Sequence, residues 1–470
     1  MAGERVRIYQ VSLGNEIDLH HLGISGHSFT FRHQRVSGVQ LVPGTMYAAD
    51  TIAVGGGGWL LQSSVIHHAE RGMVSRLTVP LVGSSSTTPS ASGSTREYFI
   101  AGEETIWDYI PQGTDACFSD AFKKSAEDLF PLLDNSERYG RDGTDVQGFS
   151  DSVRAFIASG DTSIGRFYRK ARYVGYTDSN FNRLSANVNG SSTGILGPVL
   201  RAVSGDVIKI IFRNSLSFDS NLAFPSAPLL LVSLRSRPIG ASTWTSVPGM
   251  PAELAAWPVP TGYEAEFYWR VPQTAGPAPA DSATIAWTYG SSVSVDHLFA
   301  GLVGGLIVAK SNAALYPGSF EHGADREYVL AFFISNENRS PFLDDNFAQR
   351  TGDPSSVDKA DADFEESNLM HAVSGLLACN LRLNATVGDT VRFHLLGLGA
   401  ELDLHTPQFH GHMQRSGVDE WLTRSTALGI HPGSMATVEI VTKAAGQWLV
   451  ECGVNDHWAA GMRASLVVHH

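Results

Sequence analysis

Hydrophobic positions alternate with polar ones over short runs along most of the chain. RVRIYQVS, GDVIKIIFRNS, AEFYWRV, GDTVRFHLLGLG and SMATVEIVTK are rich in Val, Ile, Phe, Tyr and Thr, and each is bounded by Gly, Pro, Asn or Asp. A period of two with turn residues at the ends predicts strands, and many short strands in succession predict β-sandwiches. Helical periodicity is concentrated at residues 115–165, with DAFKKSAEDLFPLLDN and SDSVRAFIASG, which reads as a partly helical insertion. SSSTTPSASGST at 84–95 has the composition of a linker. The glycines at 55–58 precede a strand, so they read as a turn and not a phosphate loop.

The chain also repeats itself. LGNEIDLHHLGISGHSF (13–29) matches LGAELDLHTPQFHGHMQ (398–414), and the segment VPGTM…AERGM (42–73) matches HPGSM…WAAGM (431–462). The match aligns His20 with His405, Ser63 with Cys452, His68 with His457 and Met73 with Met462. Residues corresponding to 326–385 have no counterpart before residue 1, so the first copy reads as truncated. The expected organisation is a truncated domain at 1–90, a middle domain with the insertion at 91–312, and a last domain at 313–470.

A chain of 470 residues, 43% of them hydrophobic, suits several packed cores. A formal charge of -13 argues against nucleic acid and anionic membrane surfaces as partners, and no apolar run is long enough for a membrane span. No signal peptide opens the chain, while Asn189, Asn338 and Asn384 lie in glycosylation triplets compatible with secretion. Three cysteines cannot build a disulfide scaffold. Cys117 and Cys379 are either a pair or two buried thiols, and the apolar run GLLACNLRL around Cys379 favours thiols.

The candidate chemistry lies in WLVECGVNDHWAAGM, where Cys452, His457 and Met462 follow one another at intervals of five. A blue, type 1 copper site takes two imidazoles and a thiolate in a trigonal plane with a long axial thioether. The repeat supplies His405 as the second imidazole. The first copy keeps His20, His68 and Met73 but has Ser63 in place of the thiolate, so it reads as a vestigial, colourless site. Trp59 and Trp448 read as core residues, and His21, His27 and His412 as hydrogen-bonding or surface groups. His469 and His470 close the chain.

Seven ordered stretches carry a resemblance: REYFIAGEETIWDYIPQG, YTDSNFN, GILGPVLRAVSGDVIKIIFRNS, HLFAGLVGGLIVAK, FEESNLMHAVSGLL, ELDLHTPQFHGH and WLVECGVNDHWAAGM. Together they resemble the ceruloplasmin and hephaestin family of multicopper ferroxidases, whose plan the clotting-cofactor A domains share. The resemblance implies an all-β fold of tandem cupredoxin-like Greek-key sandwiches, with copper as cofactor and iron as substrate. It implies a type 1 copper at His405, Cys452, His457 and Met462, and an adjoining Fe(II) site at Glu366, His371 and Asp456, with Glu16 as a fourth ligand and Glu401 as its equivalent in the last domain.

Members of the family reduce dioxygen at a three-copper cluster held by His-x-His pairs. The matching positions here are Gln408 and His410, Glu451 and Gly453, and Gly290 and Ser292 after Tyr289, while RNSLSFDSNLAFPSAP holds no histidine. Of these, His410 alone keeps the ligand type, so the cluster is not encoded in this chain. The implied role is one-electron redox with Fe(II) or another donor, as an oxidoreductase within a larger protein or assembly of further cupredoxin domains or subunits. A secreted or extracytoplasmic location goes with it. The alternative is a structural, protein-binding A-domain module without redox turnover.

Overall fold

The computed structural model describes residues 1–15, 18–80, 93–117, 149–160, 163–185, 193–247, 257–351, 358–399 and 404–470. Most of the linker at 84–95, most of the insertion, Asn189, Glu16 and Glu401 lie outside them. The strands fall into three successive pairs of sheets.

The first pair uses β1 (Arg5–Val11), β2 (His20–Ile24), β3 (Phe29–Phe31), β4 (Gln34–Val36), β5 (Gly38–Leu41), β6 (Met46–Ile52), β7 (Gly57–Ser63) and β8 (Val74–Val79). One sheet runs β1-β6-β3-β4 and the other β5-β2-β7-β8. Their facing sides bury Ile24, Phe29, Val39, Leu41 and Trp59. Gly26 shows why a glycine stands beside that core: its φ is +65°, and a Cβ there would meet the Trp59 ring at 2.2 Å.

The middle pair uses β9 (Thr95–Asp108), β10 (Phe167–Tyr176), β11 (Leu200–Val203), β12 (Val207–Asn214), β13 (Leu230–Pro238), β14 (Thr245–Ser246), β15 (Tyr263–Arg270), β16 (Thr284–Gly290) and β17 (Val303–Ala309). The order is β10-β9-β12-β15-β13-β14 in one sheet and β11-β17-β16 in the other. Of the expected insertion, the described part includes a helix at Asp151–Ile157, whose Val153, Phe156 and Ile157 pack on Tyr109 and Tyr168.

The last pair uses β18 (Arg326–Asn336), β19 (Leu369–Val373), β20 (Arg382–Thr386), β21 (Thr390–Gly397), β22 (Pro407–Phe409), β23 (Gln414–Ser416), β24 (Thr423–Ser425), β25 (Met435–Val441), β26 (Gly446–Cys452) and β27 (Arg463–His469). Its sheets run β19-β18-β21-β25-β23-β24 and β20-β27-β26-β22. Parallel pairing of β18 with β21 and of β20 with β27 closes a core of Phe332, Leu383, Phe393, Val450 and Leu466. The chain is therefore a tandem of cupredoxin-like sandwiches.

The internal repeat is reproduced strand by strand. β1, β6, β7 and β8 occupy the sheet positions of β21, β25, β26 and β27, and the short helix Ile66–Glu70 corresponds to Asn455–Ala459. Among the described residues the first sandwich has nothing equivalent to β18, β19 or β20.

The cysteines correct one expectation. Cys117 and Cys379 form a disulfide with Cα atoms 4.8 Å apart. Both residues are buried, as the apolar run predicted. Burial does not exclude pairing, and the contact joins positions 262 apart, which no local pattern reports. The strand-to-loop segment after β9 lies on the turn at 377–380, where Ala116 N–H donates to Ala378 O at 2.9 Å and Gln112 N–H to Asn380 Oδ1 at 2.9 Å.

Candidate metal centre

β26 ends on Cys452, and the chain turns at once into the helix Asn455–Ala459 before β27 carries it back. Cys452 N–H donates to Met462 O at 3.2 Å and Met462 N–H to His457 O at 3.0 Å, so the loop closes on itself and gathers the three side chains. His405 arrives from the opposite side, fixed by two backbone hydrogen bonds to Ile430 (3.0 and 2.8 Å). Cys452 and Met462 belong to the apolar core, and both histidines are buried.

The two imidazoles turn their Nδ1 atoms to the sulfur, 3.9 Å away for His405 and 3.5 Å for His457. Bonds of about 2.0 Å to nitrogen and about 2.3 Å to sulfur, meeting at roughly 120°, separate N and S by about 3.7 Å. The observed distances lie on either side of that value. Among the described residues this is the one group of three or more His, Cys, Asp or Glu side chains whose ligand atoms converge to coordination distance. The donor set fits copper.

The electrostatics point the same way. Burial pushes the Cys452 thiol pKa up, so the thiolate needs a cation beside it. Burial also lowers both histidines, His405 further depressed by His457 and His371, so both are neutral and can donate a lone pair. Thr406 N–H points at Sγ from 3.4 Å. That contact was not among the expected site residues, although Thr406 directly follows a predicted ligand.

His371, from β19, is buried and sits with its ring 5.4 Å from the His457 ring. Its Nδ1 faces Leu369 O at 2.8 Å, and burial followed by His457 lowers its pKa to about 4. Glu366 and Asp456 are solvent-exposed, and with His371 they do not form a group of coordination size. Glu16 is outside the described residues.

At the positions matching the three-copper cluster, Glu451 pairs with His410 and accepts from Trp458 Nε1 at 2.7 Å. The Gln408 amide lies against Gly453, in the space a Cβ there would take. In the middle sandwich Gly290 ends β16 and Ser292 N–H donates to Asn221 Oδ1 at 2.9 Å, while Ser291 between them is bonded to His297 at 2.8 Å.

In the first sandwich Ser63 is buried, and His20 and His68 are partly buried with Nδ1 atoms 3.1 Å apart. Met73 is 45% exposed, unlike its fully buried counterpart Met462. His21 bonds Ser64 and His27 bonds Ser25 O, both at 2.9 Å, so these two serve the fold.

The chain is 32% identical to human ceruloplasmin over 472 residues, which is 99% of this chain and 39% of that protein. It is 30% identical to mouse hephaestin over 474 residues, 99% of this chain and 37% of the relative. The chain thus spans about two fifths of the length of these curated relatives. No family model matches. Among solved structures, a copper nitrite reductase from Nitrosomonas europaea aligns over 80% of this chain and 94% of its own, at 14% identity and a TM-score of 0.45. With motifs, repeat and near-complete alignment in agreement, the chain is a homologue of ceruloplasmin and hephaestin.

Proposed function

We propose that the last sandwich is a one-electron relay of the ferroxidase type. The observation that carries this reading is the convergence of His405 Nδ1, His457 Nδ1 and Cys452 Sγ in a buried, apolar pocket. Copper held by this set supplies one-electron chemistry, cycling between Cu(I) and Cu(II). His405 and His457 hold lone pairs ready inward, the buried thiol of Cys452 would give up its proton on metal loading, and Met462 would offer a thioether.

Fe(II) is the electron-donating substrate in this reading. Glu366 and Asp456 offer hard oxygen ligands near the surface, His371 offers one nitrogen, and Glu16 is the fourth candidate. The His371 and His457 rings, with centroids 5.4 Å apart, support this reading by offering a short path for the electron. The electron acceptor lies outside the chain, because Glu451, Gly453, Gln408, Gly290 and Ser292 stand where cluster imidazoles are needed. An oxidising, extracytoplasmic setting agrees with the Cys117–Cys379 disulfide. Among the described residues no helix is long and apolar enough to cross a membrane.

The test is copper loading under argon followed by a visible spectrum and addition of Fe(II). One copper per chain, an intense thiolate band and its bleaching by Fe(II) are expected. Oxygen uptake by the isolated chain should stay at background. Colourless copper-loaded protein overturns the relay, and sustained oxygen reduction overturns the external acceptor.

A further inference from the structure

The first sandwich has lost its thiolate, yet its imidazole pair keeps the geometry of a ligand pair. The His20 and His68 rings are 4.6 Å apart at an interplanar angle of 49°. The His405 and His457 rings are 4.9 Å apart, also at 49°. In both pairs the Nδ1 atoms face inward, and in the first pair they are 3.1 Å apart. Two metal–nitrogen bonds of about 2.0 Å meeting at a tetrahedral angle of roughly 109° separate the nitrogens by about 3.3 Å. Ser63 Oγ, buried at the end of β7, lies 3.3 Å from His68 Nδ1.

From this geometry we infer that His20, His68 and Ser63 bind a divalent cation of the Zn(II) class, in a site without redox colour. The donor set is two imidazole nitrogens and one neutral oxygen, which suits a borderline cation with water in its remaining position. The exposed Met73 leaves that position open to solvent. Such a cation ties together β2, β7 and the helix Ile66–Glu70, and these elements reach the other sandwiches. Glu70 pairs with Arg339 Nη2 at 2.6 Å, and Arg339 also pairs with Asp296 of the middle sandwich at 2.8 Å. The His431 ring of the last sandwich stands 3.2 Å from His20 O. The cation's role is accordingly to brace the junction of the sandwiches.

The full-length chain carrying Cys452→Ala and His457→Ala separates this site from the blue-copper reading, because the last sandwich then keeps one imidazole of its converging donors and neither thiolate nor hydroxyl. Zn(II) titration against a chromophoric chelator should show one equivalent bound in that background. Adding His20→Ala or His68→Ala should weaken binding at least about tenfold, with unchanged circular dichroism. Zn(II) binding that is absent, or indifferent to both histidine changes, overturns the inference and assigns the short contact to an N–H···N hydrogen bond. A second readout avoids dependence on loss. Ser63→Cys in the same background should give an intense thiolate-to-copper colour on adding Cu(II), and protein that stays colourless shows that the three donors do not converge on a metal.

Discussion

The ring of His371 stands 5.4 Å from the ring of His457 at an angle of 48°, although one comes from β19 and the other from the loop after β26. Only His457 is directed at the sulfur. Replacing His371 with Ala should therefore leave the thiolate colour in place while slowing bleaching by Fe(II) at least about tenfold. Stopped-flow spectroscopy at one wavelength measures both, and loss of colour with unchanged reduction of the remainder would contradict this division of labour.

Within the ligand set, Cys452→Ser should abolish the visible band. Met462→Leu should keep the band and raise the reduction potential, because the axial thioether ceases to stabilise the oxidised ion. Spectroelectrochemistry of the two variants gives the comparison.

The disulfide holds the segment after β9 on the turn at 377–380 and encloses a long stretch of chain. Reducing it, or replacing Cys117 with Ser, should cost about 2–5 kcal/mol of stability and leave the visible spectrum unchanged, since Cys452 takes no part in it. Denaturant unfolding with and without reductant checks the first statement, and a spectrum of the same samples checks the second.

Lys170 and Glu337 form an ion pair with side chains 1% and 0% exposed. Lys170 Nζ also donates to Phe299 O at 2.8 Å, and Tyr109 OH donates to Glu337 Oε1 at 2.5 Å. Lys170→Met strands a buried carboxylate and should destabilise the protein by about 3–5 kcal/mol. Lys170→Met with Glu337→Met should cost less than the single change, a result that equilibrium unfolding can resolve.

Asp281 sits where the first and middle sandwiches meet, accepting from Arg35 N–H and Ala278 N–H, both at 2.8 Å. Burial pushes its pKa up to about 6, against the opposing pull of these N–H groups, Arg35 and Lys310. The folded state thus holds a proton that the unfolded chain, titrating near 3.9, releases first. Stability should fall as pH rises from about 4 to about 6, by roughly 3 kcal/mol at most, and level off above. Unfolding curves of Asp281→Asn across that range should lack this component.

The sandwiches and the convergence of His405, Cys452 and His457 were legible because each leaves a local or repeated trace. Alternation marks β1, β12, β15, β21 and β25, and the internal match carries His20, Ser63 and His68 onto His405, Cys452 and His457 with their strands. Lys170–Glu337 and Cys117–Cys379 left no such trace. Each joins residues from different sandwiches, and a buried lysine in FYRKARYVGY looks like any polar member of an alternating strand. Glu451 was noted for not being histidine, but its hold on His410 and Trp458 depends on β22 lying beside β26.

Among the described residues β1 is bonded on one side only, to β6, whereas its counterpart β21 has neighbours on both sides. A strand with a free flank is a template for another strand, and proteins guard such flanks with charge. Arg5 and Arg7 reach back to Asp50 and put guanidinium groups along one half, while Tyr9 and Val11 are left 76% and 56% exposed on the other. The guarded half resists adventitious pairing and the bare half invites it, which makes protein concentration and ionic strength the conditions to control whenever this chain is handled alone.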